Sequence, residues 1–377
     1  MIFLMISSNV CLTLDAKCHA REAQSVKSPA ICKQRGCFRS LVCFRFKEGR
    51  QLQRSFCQLL LRSQVTSTTT FECENSFPAM AKRVLITGAS GLLGRAVLKE
   101  FEREGSWSVL GLAFSRAGDK LRKVDITDQQ AVNNVMQEFK PTVVIHSAAE
   151  RRPDVVEQQV EATQALNVSA TQFVCQGAAQ VGGSVIYIST DYVFDGKNAP
   201  YKETDVPNPL NTYGKSKLEG EKVALAEGKD NAVLRVPILY GYVEKMDESA
   251  VTVLFPKVKN TSETCVMSDY ERRYPTHCDD VASVLRQLAE KKVEGTDISG
   301  VFHWSGDENM TKYDMAIAMA EAFNLPTSHI QADKNPSTGT TRPYDAHLAT
   351  SRAEGLGICK RSKFREQIKP VLEQLFP

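Results

Sequence analysis

The sequence predicts an α/β fold: a doubly wound parallel sheet with a smaller α/β lobe toward the C-terminus. Three observations carry this. A short apolar run, Val84-Leu85-Ile86, leads through a glycine-rich turn into a segment with apolar residues at helical spacing. Strand-like and helix-like segments then alternate as far as Val236. Beyond Tyr240 that alternation loosens.

Val84, Leu85 and Ile86 form an unbroken apolar run, as in a strand covered on both faces. Leu92, Leu93, Ala96, Val97 and Phe101 recur on one helical face. Ser108–Phe114 reads as the second strand and Lys123–Ile126 as a short third. Gln129–Phe139 is an amphipathic helix stopped by Pro141, and Val143–Ser147 is a strand. Glu161–Val181 is a long helix ended by Gly182 and Gly183. Val185–Ser189 is a strand, Ser216–Ala226 a helix and Ala232–Val236 a further strand. Right-handed crossovers put the first turn at the C-terminal edge of such a sheet. In the lobe, Val251–Val258, Val281–Lys291 and Lys312–Phe323 read as helices and Val301–Trp304 as a strand. No internal repeat or low-complexity tract interrupts this order.

The 377 residues carry a formal charge of +3 that is unevenly spread. Residues 1–80 hold 11 Lys/Arg against 5 Asp/Glu, and the rest holds 36 against 39. The main body is therefore mildly acidic, which argues against nucleic-acid binding there. Seven of the 11 cysteines lie in the first 80 residues. The others, Cys175, Cys265, Cys278 and Cys359, are scattered without metal-ligand spacing and read as reduced thiols of a cytosolic protein. No run of 18 apolar residues predicts a membrane span. The opening MIFLMISSNVCLTL is apolar but lacks a basic flank and is broken by Ser7, Ser8 and Asn9, against a signal peptide. Few acids with many Arg and Ser suit a transit peptide. An unstructured or isoform-specific leader over 1–79 is the preferred reading, with a second translation start at Met80.

Thr87-Gly88-Ala89-Ser90-Gly91-Leu92-Leu93-Gly94 is G-x-x-G-x-x-G between a strand and a helix. Gly88 permits the tight turn, Gly91 lets backbone approach a pyrophosphate, and Gly94 allows close packing of helix on strand. The free N–H groups of the helix start then bind the anion. This is a Rossmann-type dinucleotide site, so residues 80–240 form the cofactor-binding domain and 241–377 a lobe interleaved with it. A ribose 2′-OH is read by an acid at the end of strand two, and a 2′-phosphate by a cation. The strand ends Ala113-Phe114-Ser115-Arg116: Arg116 can clamp a phosphate and Ser115 can donate a further bond. NADP is thus expected, while Asp119 lies close enough in sequence to keep NAD open. Asp125 and Ile126, ending strand three, should flank the adenine; Asp125 otherwise caps a helix.

Ser189-Thr190-Asp191-Tyr192 follows a buried strand, and Tyr213-Gly214-Lys215-Ser216-Lys217 opens a later helix. Y-x-x-x-K puts Tyr213 and Lys217 one turn apart on one face. An ammonium and a ribose hydroxyl beside Tyr213 would lower its pKa, so that the phenol exchanges a proton with a carbonyl. Thr190 would hold the substrate oxygen.

On STDYVFDG, NTYGKSKLEGE and RPYDAHLATS the chain, from about Lys82 to Leu356, resembles the extended short-chain dehydrogenase/reductases. Within them it resembles the dTDP-4-dehydrorhamnose reductase branch. HSAAERRPDVVE, LRVPILYGYVEKMDESAVTVLF, RRYPTHCDDVA and FHWSGDENMTKYDMA narrow the resemblance. They resemble the family of regulatory beta subunits of methionine adenosyltransferase II. That resemblance implies the reductase fold, bound NADP(H), and a non-catalytic, cytoplasmic partnership with the S-adenosylmethionine-forming alpha subunit. It also implies Ser90, Gly91, Leu92 and Leu93 at the pyrophosphate, and Phe114, Ser115 and Arg116 at the 2′-phosphate. Asp125 and Ile126 fall near adenine, Ser147 and Arg151 along the cofactor, and Tyr213 and Leu239 near the nicotinamide ribose and ring. Asn167 matches the family's helix Asn, which helps order water and lysine. Two departures bear on partner docking: a longer leader, and a C-terminus, IKPVLEQLFP, shorter than the family's basic-aromatic tail.

The alternative is a working NADPH-dependent keto-sugar reductase using Thr190, Tyr213 and Lys217. A third reading is a redox-sensing scaffold whose partner binding follows NADP(H) occupancy. Arg151 and Arg152 sit where a reductase meets substrate and suit phosphate, a partner's carboxylates or ion pairing within their own loop. His277 has no second metal ligand at helical spacing; it is expected at the lobe boundary, with Asp279 or Asp280 capping the next helix. Trp304 is expected in the core or lobe interface, and Cys278 as an unreactive thiol.

Overall fold

The computed structural model describes residues 82–375, together with two short strands near the N-terminus. Those strands, β1 (Ile2–Ile6) and β2 (Val10–Leu14), pair antiparallel where the sequence reading placed no element. Both are five-residue apolar-rich runs separated by Ser7, Ser8 and Asn9, a pattern that also fits strand, turn, strand. The rest of the leader, its cysteines and the start at Met80 fall outside the described residues.

From Arg83 onward the chain builds a seven-stranded parallel sheet flanked by helices. Its strands are β3 (Arg83–Thr87), β4 (Ser108–Ala113), β5 (Arg122–Lys123), β6 (Val143–His146), β7 (Ser184–Thr190), β8 (Ala232–Val236) and, much later, β12 (Gly300–His303). The order is β12-β8-β7-β6-β3-β4-β5, and each adjacent pair is parallel. The order reverses between β3 and β6, which opens a crevice at the strands' C-terminal ends. The predicted doubly wound fold is therefore the observed one.

Burial on both faces follows from the apolar runs. Val84 and Ile86 of β3 join one core with α1 (Leu92–Glu104) and α8 (Cys278–Val293). Leu85 faces the other core, against α2 (Gln129–Phe139), α5 (Ala170–Gln180) and α6 (Thr212–Glu227). A third core around Tyr240, Phe255, Met319 and Phe364 holds the lobe. That lobe contains α7 (Phe255–Lys259), α9 (Lys312–Ala322) and α11 (Phe364–Glu373). It also contains β10 (Cys265–Ser268), which pairs parallel with β13 (Ile330–Asp333). Among the described residues no helix is long and apolar enough to cross a membrane.

Several boundaries depart from expectation for identifiable reasons. The third strand is two residues long because Asp125 turns the chain, accepting from the Thr127 backbone at 2.9 Å and its hydroxyl at 2.6 Å. Asp125 does not cap a helix; Asp128 does, accepting from Gln130 N and Ala131 N. The long helix over Glu161–Val181 is interrupted: α4 (Val160–Gln164) passes through a π-helical turn, Ala165–Ser169, before α5. The helix expected over Val251–Val258 divides into a 3-10 turn, Thr252–Leu254, and α7, where Pro256 in the first turn lacks an N–H to extend backward. Neither Asp279 nor Asp280 caps α8. His277 is its N-cap, its Nδ1 accepting from Asp279 N at 3.1 Å, while Asp280 holds Ser362. Trp304 is fully buried, with the Arg361 guanidinium 4.3 Å from its ring centre.

Candidate functional site

The turn after β3 is shaped by glycines at positions where other residues clash. Gly88 has φ +67°, and a Cβ there would lie 2.9 Å from the Ala148 backbone. A Cβ on Gly94 would overlap the Gly88 carbonyl oxygen and sit 2.8 Å from Ala89 Cα. Gly94 thus lets α1 press against the turn itself. Gly91 is the N-cap of α1 and gives it no side-chain cap, so the first-turn N–H groups face the cleft without a capping partner. Beneath the turn, buried His146 is bonded to Thr87 at 2.7 Å and Thr171 at 3.0 Å. Burial holds its imidazole neutral, its pKa pushed down to about 3. Ser147 donates to Thr87 O at 2.7 Å. These bonds lock the C-terminal ends of β3 and β6 at the crevice.

The cofactor-binding and catalytic candidates assigned from sequence line one cleft of about 640 Å³, while Asn167 and Arg152 lie outside its lining. Gly88, Ser90, Gly91, Leu92, Leu93 and Gly94 form its floor turn. Phe114, Ser115, Arg116, Asp125 and Ile126 line one end, and Ser147 and Arg151 the middle. Thr190, Tyr213, Lys217 and Leu239 line the other end. Asp119 is exposed and outside the lining. Sequence reasoning missed Tyr192, Glu248, Ser249 and Ala250, which also line it. Tyr192 carried a local signal, since it follows Thr190 at the end of β7. Glu248 carried none, because it enters from a loop 132 residues beyond the Arg116 it contacts.

Arg116 is already engaged. Its Nη1 meets Glu244 at 2.9 Å and contacts Glu248. Glu248 also takes Arg95 Nη2 at 2.6 Å. Burial raises the Glu248 pKa, but the bonds from Arg95, Arg116 and the Glu244 backbone outweigh it and hold the carboxyl down at about 2.

At the other end, Gly214 and Gly220 flank Lys217 by three residues on either side. A Cβ on Gly214 would overlap Tyr192 O, and one on Gly220 would overlap the Tyr187 hydroxyl. Gly214 lets α6 close on the turn that follows β7 and Gly220 lets it close on the Tyr187 side chain, and Lys217 between them is 4% exposed. Its ammonium lies 4.1 Å from the Tyr187 ring centre. Burial pushes its pKa down to about 7, against the pull of Glu221. Tyr213 is pushed up by burial, and a bond with Thr190 offsets this in part. Desolvation thus acts on both groups, while the expected lowering of the Tyr213 pKa calls for a ribose hydroxyl beside it as well as Lys217. Thr190 donates to Asp191 at 3.0 Å, and burial lifts the Asp191 carboxyl to about 6.

Asn167 sits in the π-helical turn and bonds Glu150 N at 2.9 Å, Glu150 O at 3.1 Å and Ser216 Oγ at 3.1 Å. It fixes the loop after β6 against α6 instead of meeting Lys217 directly. Insertions of this kind commonly re-aim a side chain at a functional site. Arg152 pairs with Glu150 at 3.0 Å within its own loop, and Arg151 faces the cleft. The Cys278 thiol is buried and pushed up by desolvation, away from reactivity. Among the described residues no group of three His, Cys, Asp or Glu could hold a metal ion.

Residues 82–376 match the family model of the RmlD substrate binding domain. The methionine adenosyltransferase 2 subunit beta of Mus musculus is 52% identical over 298 residues, covering 79% of this chain and 88% of that protein. A dTDP-4-dehydrorhamnose reductase of Aggregatibacter actinomycetemcomitans is 37% identical, covering 77% and 98%. Among solved structures, a dTDP-4-dehydrorhamnose reductase of Clostridium acetobutylicum superposes with TM-score 0.67 at 26% identity, covering 78% of this chain and all of that one. With the parallel sheet, the glycine turn and the Tyr213/Lys217 pair brought to one cleft, these likenesses place the chain in the methionine adenosyltransferase 2 subunit beta family, on the RmlD-type Rossmann fold.

Proposed function

We propose that the chain is an NADP-binding, non-catalytic regulatory subunit. It joins the catalytic alpha subunit of a methionine adenosyltransferase in a cytoplasmic hetero-oligomer and modulates synthesis of S-adenosylmethionine. The observation that carries the reading is the 52% identity over 298 residues to proteins bearing that subunit's name.

The cleft supports the cofactor half of the reading. The cradle at Gly88 and Gly94, and the uncapped start of α1, suit a diphosphate. The residues that end strand two, Phe114, Ser115 and Arg116, include a guanidinium and no acid, although Glu244 and Glu248 approach Arg116 from a distant loop. The ammonium of Lys217, 4.1 Å from the Tyr187 ring centre and lining the cleft, suits ribose hydroxyls. A bound nicotinamide dinucleotide would supply hydride-transfer capacity. Around it, desolvation raises the Tyr213 pKa and lowers that of Lys217. Gel filtration of the full chain with the catalytic subunit, with and without NADP, tests the reading. Co-elution and altered kinetics of that subunit are expected. Separate elution with unchanged kinetics would refute it.

A second reading, an NADPH-dependent dTDP-keto-sugar reductase, is favoured by the convergence of Thr190, Tyr213 and Lys217 and by 37% identity to such a reductase. In it the Tyr213 hydroxyl would pass its proton to the substrate's carbonyl oxygen while Thr190 holds that oxygen. It expects NADPH oxidation that Tyr213→Phe abolishes. Silence across a panel of nucleotide keto-sugars dismisses it.

A further inference from the structure

The loop from Gly241 to Ala250 runs beside the cleft and is tied to both the glycine turn and the strand-two end. Arg95, in the first turn of α1, donates to Ser90 O at 2.6 Å and to Glu248 at 2.6 Å. It also meets Glu244 at 3.4 Å and Tyr242 O at 3.4 Å. Glu248 in turn accepts from the Glu244 backbone at 2.9 Å. Arg116 closes the network through Nη1, which takes both carboxylates. Two guanidinium groups thus face two carboxylates at the end of the cleft where Ser115 and Arg116 lie.

We propose that Glu244 and Glu248 set the cleft's preference between phosphorylated and unphosphorylated dinucleotides, by holding Arg116 in competition with a 2′-phosphate. This rests on the nicotinamide-dinucleotide reading above. With both carboxylates in place the cluster's charges balance, so a dianionic phosphate arriving there meets no surplus positive charge. It must draw Arg116 away from Glu244 or add its own charge beside two anions. A ribose bearing a free 2′-hydroxyl meets neither obstacle. The two acids differ in permanence. Glu248 is 7% exposed and bound by Arg95 as well, so it stays. The Glu244 side chain is 47% exposed and its contact with Arg116 is solvent-screened, so it is the partner a phosphate can displace.

Calorimetric titration of the full chain with NADP and with NAD tests this, comparing wild type, Glu244→Gln and Glu244→Gln combined with Arg116→Gln. Glu244→Gln is expected to tighten NADP about twofold to fivefold, the upper part of the range for one screened charge contact, and to leave NAD unchanged. In the Arg116→Gln background that gain is expected to vanish. Unchanged or weaker NADP binding by Glu244→Gln overturns the proposal, because the acid would then be inert or would position the guanidinium for phosphate. So would equal tightening of both nucleotides. Glu248→Gln is a poorer probe, since it also unpairs Arg95. A wild-type chain that binds no nicotinamide nucleotide defeats the cofactor reading and this proposal together. A wild type that binds NADP, with a Glu244→Gln that does not bind it tighter, defeats this proposal alone.

Discussion

Replacing Lys217 by Met should stabilise the unliganded protein, and by an amount that disappears as pH rises. Lys217 is 4% exposed, and burial lowers its pKa from 10.5 to about 7. The unfolded chain therefore binds more protons than the native one between those values, and native stability rises with pH across that window. Below pH 7 both states are protonated and the full burial penalty applies. At about 1.4 kcal/mol per pKa unit, the penalty is on the order of 4 kcal/mol at pH 7, about 2 at pH 9 and under about 0.5 near pH 10.5. Methionine keeps the length of the side chain and places a thioether over the Tyr187 ring, so little packing is lost. Urea unfolding of Lys217→Met and wild type, followed by circular dichroism at pH 7, 9 and 10.5, measures the difference directly. A gap that closes with pH is expected. A constant gap, or a variant less stable at pH 7, would show that the lysine is charged and well satisfied, and would refute the desolvation argument. The same variant should bind NADP more weakly, because the cleft loses its donor to the ribose hydroxyls.

Two further outcomes follow from the packing. Gly94→Ala should abolish dinucleotide binding and lower stability by about 1–3 kcal/mol, since its Cβ meets backbone at Gly88 and Ala89 that can yield only by moving the turn; thermal unfolding and titration read both effects. Glu221→Gln should cost about 3–5 kcal/mol by chemical denaturation, because it leaves the Arg235 guanidinium, now bonded to Glu221 at 2.7 and 2.8 Å and 3% exposed, buried without its charge partner.

What the sequence disclosed was whatever is decided locally. The glycine turn, the buried strand runs and the Tyr213/Lys217 spacing each lie within one or two elements; the strand runs fill the cores, and the turn and the pair line the cleft. What it concealed was decided between distant segments. Glu248 reaches Arg116 across 132 residues, and no periodicity announces a loop acid that folds back onto a helix start. The π-helical turn around Asn167 was hidden because its cause, the bonds to Glu150 and Ser216, lies 17 residues before and 49 after. Two-residue strands such as Leu239–Tyr240 and Thr276–His277 are set by their pairing with each other rather than by alternation. His277 was misjudged because a histidine acceptor can cap a helix when two acids stand ready beside it. At the Tyr213/Lys217 pair the proximity was legible, but the depth at which Lys217 is buried was not.

That burial bears on how a Tyr/Lys pair of the reductase type could serve the function proposed above. A catalytic lysine favours a phenolate as a cation, and here desolvation works against that charge. Gly214 and Gly220 permit the burial by letting α6 close on the turn after β7 and on the Tyr187 side chain, so the geometry that assembles the pair also weakens its acid–base capacity. A ligand offering hydroxyl acceptors to the ammonium would reverse part of the penalty, because a hydrogen bond to the charged form restores it. Lys217 would then gain charge as the cleft fills.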